Sequence, residues 1–161
     1  MNCYDTLGKE TKCWGNLGNS FWIDTEDLEK IRPYYFSLHG DDGYFSAVIK
    51  GKRIYLHRCI MNAPKGMVVD HINMNPLDNR KCNLRICTMQ QNNFNKKEQT
   101  NNTSGRVGVT WDKQTNKWRA QIQVNGKSIK LGRFKNKEDA IKTREEAELK
   151  CFGEYKYRRK D

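Results

Sequence analysis

The chain has 161 residues, enough for one ordinary domain or two small ones, and its 36% apolar and 30% charged residues suit thin cores with large working surfaces. Its 30 Lys and Arg outnumber 19 Asp and Glu, a net charge of +11, while no apolar run approaches membrane-spanning length. A membrane-spanning helix is excluded, and a polyanionic partner is expected.

The charge is unevenly spread: residues 1–50 are net −3, residues 51–100 net +6 and residues 101–161 net +8. Solubility alone would not need that change of sign, so the last two thirds are the expected nucleic-acid surface. No basic-then-apolar stretch opens the chain as an export signal would. The six cysteines, at positions 3, 13, 59, 82, 87 and 151, form no close pair and read as reduced thiols of a bacterial or phage-infected host cytosol. Cys82 and Cys87 are five apart and would face opposite ways on a strand, so no structural zinc is expected.

In chain order, residues 1–19 show little periodicity and stay unassigned. "SFWID" predicts a short strand, and "TEDLEKI" a short helix with Thr25 as N-cap and acids in its first turn. "YYFSLHG", "GYFSAVIK" and "RIYLHR" predict a meander broken at the turn signals "DDG" and "GK". "CIMNAPKGM" is a short helix or turn leading to the strand "MVVD". An asparagine-rich loop, the strand "NLRICT" and the helix "MQQNNFNKK" complete a ββα unit. "EQTNNTS" is polar and free of aromatics, as a linker is.

Three strands follow, "RVGVTWD", "KWRAQIQV" and "KSIKLGRF", the last two joined by an Asn-Gly hairpin signal. Asn136 then caps the helix "KEDAIKTREEAELKCF", which stops at Gly153 and has Ala140, Ile141, Ala147 and Cys151 at helical spacing. The expected class is α+β. An N-terminal β meander leads into the ββα unit over residues 1–97, with its core at 53–97. A linker at 98–104 precedes a three-stranded antiparallel sheet packed on one helix over 105–155, and a basic tail follows at 156–161.

The stretch "VVDHINMNPLDNRKCNLRICTMQQNNFN" sets one acid, Asp70, beside one base, His71, among many neutral amides. Hydrolysis of a phosphodiester needs a base to activate water and a cation to hold the phosphate. Neighbours on a strand face opposite ways, so Asp70 and His71 serve one site only where the strand is ending. Asparagines tolerate left-handed backbone angles and pin loops. Asn83 is placed to tie this loop and hold the His71 backbone, and Asn92 to bring an amide oxygen to a metal. One carboxylate and one amide suit Mg²⁺, with Mn²⁺ as a substitute, better than Zn²⁺.

Asp-His, eleven residues to Asn83 and eight more to Asn92 resemble the HNH (His-Me finger, ββα-metal) endonucleases, in the homing-type branch whose last "H" is asparagine. "YLHRCI", "VVDHI" and "NLRICT" resemble that family too, and the likeness covers roughly residues 44–97. It implies His71 as general base, Asp70 and Asn92 as metal ligands, and Asn83 as a structural residue. His57 lies in a stretch typical of the family and is assigned no catalytic role.

Residues 104–155, through "GV", "KWRAQI", "LGRF" and "FGEY", resemble the Apetala/ethylene-responsive-factor DNA-binding domain, in which a three-stranded sheet lies in the major groove. Alternation leaves Thr110, Arg119, Gln121, Gln123, Ser128 and Lys130 on the open face, with Lys117, Lys127 and Arg133 nearby. Val107, Thr110, Gln123, Ser128 and Lys130 stand where the plant pattern has arginines and tryptophans, so its sequence preference does not carry over. Trp111 and Trp118 read as core anchors.

The expected function is a metal-dependent nuclease of double-stranded DNA, working as a monomer or a DNA-assembled dimer and nicking one strand per site. The alternative is a DNA-binding regulator on a retained nuclease scaffold. An RNA-binding reading is weaker, because the aromatic platform motifs of single-strand modules are missing.

Overall fold

The computed structural model describes residues 2–15, 18–38, 43–95 and 104–156. The expected linker, apart from Ser104, and the tail beyond Lys156 lie outside the described residues, as do His39, Gly40 and the two aspartates of "DDG". The fold is a mixture of small antiparallel sheets and short helices in two units, residues 1–92 and 93–161. The division falls inside a helix, after Asn92, rather than in the segment 98–104.

In the first unit, β1 (Cys3–Leu7), β2 (Glu10–Trp14) and β3 (Ser20–Asp24) form an antiparallel sheet. Thr11 and Cys13 of β2 alternate inward, as do Phe21 and Ile23 of β3, and burial pushes the Cys13 thiol up to about 12. Most of the stretch left unassigned in the sequence therefore forms two strands, Cys3–Leu7 and Glu10–Trp14. Their turn is carried by Gly8 at φ +64°, a left-handed angle that glycine adopts without strain.

Thr25 does not cap a helix with its side chain. Its hydroxyl donates to the Gly8 carbonyl at 2.9 Å and meets the Thr11 hydroxyl at 3.0 Å, tying the β1–β2 turn to a 3-10 turn at Thr25–Asp27 and to α1 (Leu28–Ile31). A second sheet consists of β4 (Ser37–Leu38), β5 (Phe45–Ile49) and β6 (Lys52–Tyr55). The expected strand "RIYLHR" ends at Tyr55, because Leu56 and Ile60 turn inward at helical spacing and make α2 (Leu56–Met61). Phe21, Phe36, Phe45, Leu56 and Ile60 form the centre of this core, with the Phe21 and Phe45 rings 4.5 Å apart. Arg58 donates to the Met67 carbonyl at 2.7 Å and so fixes the passage from α2 into β7 (Val68–His71).

β7 pairs antiparallel with β8 (Leu84–Cys87), and α3 (Met89–Phe94) follows. The loop between β7 and β8 is clamped to the first sheet by Arg80. Its guanidinium grips both oxygens of Asp78, at 2.7 and 2.8 Å, and the Glu10 carboxylate at 2.6 Å. The Arg80 hydrogen bonds hold the Asp78 carboxyl below the usual carboxylate range. Arg80→Ala is expected to destabilise this unit by about 2 kcal/mol at neutral pH, because a nearly buried carboxylate loses its cationic partner and keeps the Asn73 amide. Asp78 titrates below its ordinary value of 3.8 in the folded chain, so its contribution is present above that value and fades as pH falls through the folded one. Urea unfolding should therefore show the gap between variant and wild type closing in acid.

The second unit is an antiparallel sheet of β9 (Val109–Asp112), β10 (Lys117–Val124) and β11 (Lys127–Phe134), ordered β11-β10-β9. α4 (Lys137–Phe152) packs on it through Ala140, against Val109 and Ala120, with Trp118, Leu131 and Phe134 around them. Asn136 sits at the cap position but makes no cap bond, and its amide instead meets the Asp139 carboxylate at 3.4 Å.

The buried stripe of α4 is Ala140, Arg144, Glu148 and Phe152, not the expected row through Ala147 and Cys151, and Cys151 is exposed. Charges occupy the stripe because they are paired: Glu148 takes Arg144 at 3.0 Å and Arg106 at 3.0 Å, and Arg106 also reaches Glu145 at 2.9 Å. Gly108 lies against this network with φ +79°. The Phe94 ring, at the end of α3, stacks on Phe152 at 3.9 Å.

Candidate active site

Asp70 and His71 are the last two residues of β7, where the strand gives way to the loop. Cross-strand pairing sets Asp70 opposite Arg85 and His71 opposite Leu84. The Arg85 guanidinium holds Asp70 Oδ2, with Nη2 at 2.6 Å and Nε at 2.8 Å. Both residues of the Asp-His pair are buried, Asp70 6% and His71 5% exposed.

The asparagines of the loop each have a bond to make. Asn83 donates to the Asp78 carbonyl at 2.8 Å and accepts from the Asn73 N–H at 2.9 Å, while its own carbonyl receives the Ile72 N–H at 2.8 Å. It therefore grips the backbone one and two residues beyond His71 rather than at His71. It closes a 3-10 turn (Lys81–Asn83) and precedes β8 instead of starting it. Asn73 and Asn75 accept from backbone N–H groups two residues on, at 2.8 and 3.1 Å, the turn chemistry for which short amides are chosen. Asn92 lies half-buried on α3, its N–H bonded to the Thr88 carbonyl at 3.0 Å.

Sequence reasoning missed three parts of this site. Asn79, 1% exposed, places its side-chain oxygen 3.2 Å from His71 Nε2. Arg85 is the second, since nothing in "NLRICT" marks an arginine as the partner of an acid on the facing strand. The third is a ring cluster: His57 meets His71 edge-on at 5.2 Å, Tyr55 stacks on His57 at 5.6 Å, and Tyr44 lies 5.1 Å from His57 and 5.7 Å from His71. The cluster packs around the imidazole and contributes to its burial. Burial accordingly pushes His71 below the ordinary histidine value, against smaller upward pulls from Asn79 and the Asp70 and Asp78 charges.

Among the described residues no three His, Cys, Asp or Glu side chains gather into a metal-binding group. The donors expected for a metal are oxygens, the Asp70 carboxylate and the Asn92 amide. That set fits a hard cation that keeps most of its waters and takes phosphate oxygens as ligands, and it does not fit zinc. Arg85 already neutralises part of the Asp70 charge, which favours weak cation binding completed by a phosphate.

In the second unit, cross-strand register puts Thr110, Arg119 and Arg133 in one row, Gln121 beside Lys130 and Gln123 beside Ser128, on the face away from α4. Lys117 shares that face opposite Asp112, which also holds Arg133 at 3.0 Å. Lys127 pairs with Val124 and falls on the other side, at the hairpin turn. Trp118 packs against the core, but Trp111 is 45% exposed because β9 is a short edge strand, and its ring meets Trp118 edge-on at 5.2 Å.

An HNH endonuclease family model matches residues 55–94, which span α2, β7, the loop, β8 and α3. Protein 3.8 of Escherichia phage T7 is 41% identical over 64 residues, 40% of this chain and 53% of that protein. An uncharacterized HNH endonuclease of Acanthamoeba polyphaga mimivirus is 31% identical over 139 residues, 86% of this chain and 63% of that protein. The chain thus spans between about half and three fifths of the length of these relatives. No solved structure matches it. Among the described residues no helix is long and apolar enough to cross a membrane.

Proposed function

We propose that this chain is a metal-dependent endonuclease of double-stranded DNA. The observation that carries the reading is a buried Asp70-His71 pair at the end of β7, with His71 held by Asn79, inside a stretch that matches the HNH endonucleases. His71 is the general base: its neutral imidazole takes a proton from water, and the hydroxide attacks phosphorus in line with the departing oxygen. Burial favours the neutral form of that imidazole. Asp70 and Asn92 are the metal ligands, and Asn83 holds the loop. Mg²⁺, or Mn²⁺ in its place, would supply Lewis-acid stabilisation of the phosphate charge and the leaving oxygen.

The open face of the second sheet, an Apetala/ethylene-responsive-factor-like module, is the DNA-reading surface. Arg119, Gln121 and Gln123 have the donors and acceptors that base edges need, while Lys117, Lys130 and Arg133 meet phosphates and Ser128 and Thr110 add hydroxyls. Lys127 contributes from the hairpin end. One base serves one strand, so a monomer nicks and a DNA-assembled dimer cuts both strands. The viral relatives accord with action in the cytosol of an infected cell.

One observation favours the regulator instead: Arg85 holds the carboxylate that the metal needs. Supercoiled plasmid separates the two readings. With Mg²⁺ the purified chain should convert it to open circle, and EDTA should stop the conversion. DNA binding without metal-dependent nicking, on targets drawn from the host and viral genomes, would establish the regulator.

A further inference from the structure

The first sheet lies outside the segment that matches the HNH endonucleases, yet it grips the loop behind His71 at four points. The Trp22 N–H donates to the Leu77 carbonyl at 2.8 Å, and the Asn79 N–H donates to the Trp22 carbonyl at 2.8 Å, a parallel bridge across Asp78. Arg80 joins Glu10 of β2 at 2.6 Å, and the Lys81 N–H donates to the Asp24 carboxylate at 2.7 Å. The residue at the centre of these bonds is Asn79.

The Asn79 side chain can be oriented from its partners. Its Nδ2 donates to the Pro76 carbonyl at 3.1 Å, which turns the amide oxygen toward the imidazole. At 3.2 Å that oxygen accepts from His71, so Nε2 carries the hydrogen. In a neutral imidazole Nδ1 is then the basic nitrogen.

We propose that Asn79 is a positioning residue, held in place by the β1–β3 sheet, that receives the His71 Nε2–H in its side-chain oxygen and thereby makes Nδ1 the nitrogen that takes the proton from water. The proposal rests on the nuclease reading. It gives a task to the acidic first third of the chain, whose charge makes it a poor DNA surface: it sets the angle of the base from behind.

The test uses the full chain labelled with ¹⁵N-histidine, with Asn79→Leu and Asn79→Asp beside wild type. Leucine keeps the volume without an acceptor, and aspartate keeps an acceptor. Wild type and Asn79→Asp should show a His71 Nε2–H resonance slow enough in exchange to be observed, and Asn79→Leu should lose it while its backbone amide spectrum stays native. With Mg²⁺ and plasmid, Asn79→Leu should lower the nicking kcat by about 10²-fold at unchanged DNA affinity, with recovery in Asn79→Asp. If Asn79→Leu fails to fold, the contrast between wild type and Asn79→Asp still decides: an Asn79→Asp chain lacking both the resonance and nicking overturns the proposal. So does Asn79→Leu nicking at the wild-type rate or keeping the resonance. Wild type that never nicks overturns the nuclease reading and the catalytic part of this one, and the resonance alone then decides the Asn79–His71 contact.

Discussion

Replacing His71 by alanine is expected to slow plasmid nicking by about 10³-fold, the usual worth of a positioned general base, with DNA affinity changed by no more than about twofold. Among the described residues no other base is placed to substitute for it. His57 meets His71 ring to ring at 5.2 Å and is itself enclosed by Tyr44 and Tyr55, so its position is one of support. Single-turnover nicking with pre-bound DNA measures the chemical step directly, and a loss confined to DNA affinity would count against His71 as the base. The same assay gives a second readout. Burial lowers the His71 pKa, so the reactive neutral ring persists to lower pH than an ordinary histidine allows. The rate should reach half its plateau below pH 6.5 in wild type, and this acid limb should vanish in His71→Ala.

Gly108→Ala is expected to be the most damaging small substitution in the second unit. A Cβ there would stand 2.3 Å from the Gln121 carbonyl oxygen and 2.7 Å from Arg144 Nε, on a backbone at φ +79°. The backbone atom cannot yield, since Gln121 also donates its N–H to the Gly108 carbonyl at 2.8 Å. Moving Arg144 aside would break its bond to Glu148 and leave buried charge poorly matched. Strain and overpacking together cost about 3 kcal/mol, most of the stability of a small unit. Trp111 and Trp118 fluorescence should report the loss of this sheet at a lower temperature, and DNA affinity should fall by at least about tenfold if the sheet supplies the main contacts. Undiminished affinity in a chain whose second sheet has melted would take DNA reading away from that sheet.

Much of the second unit was legible because its signals are local. "KWRAQIQV" and "KSIKLGRF" flank an Asn-Gly turn, and β10 and β11 occupy those residues, with one register shift between Ala120 and Gln121. The α4 stripe was not legible, because a search for apolar periodicity passes over Arg144 and Glu148, whose burial depends on Arg106, 42 residues before Glu148. In the first unit the strand, loop, strand and helix pattern marked the ββα stretch, and the spacing of Asp70, His71, Asn83 and Asn92 carried its resemblance to the HNH endonucleases. The grip of the first sheet could not be read the same way. Glu10 and Arg80 are 70 residues apart, and Asn79 is one amide in a loop full of them until a fold turns it toward His71. Arg85 shows the same limit, as its partner is set by strand register and not by spacing.

The stacking of Phe94 on Phe152 bears on how such proteins can be recombined. The family match runs through residue 94, while the second unit begins at residue 93. The two descriptions overlap on Asn93 and Phe94, so one aromatic ring is claimed by both the family match and the second unit. A graft that exchanged the C-terminal module at a seam in 98–104 would remove Phe152 and leave Phe94 facing whatever side chain the new module brought. Modular shuffling in this architecture therefore has a fixed seam allowance: donor and recipient must agree on an aromatic at this position, or the seam must be moved back to Asn92.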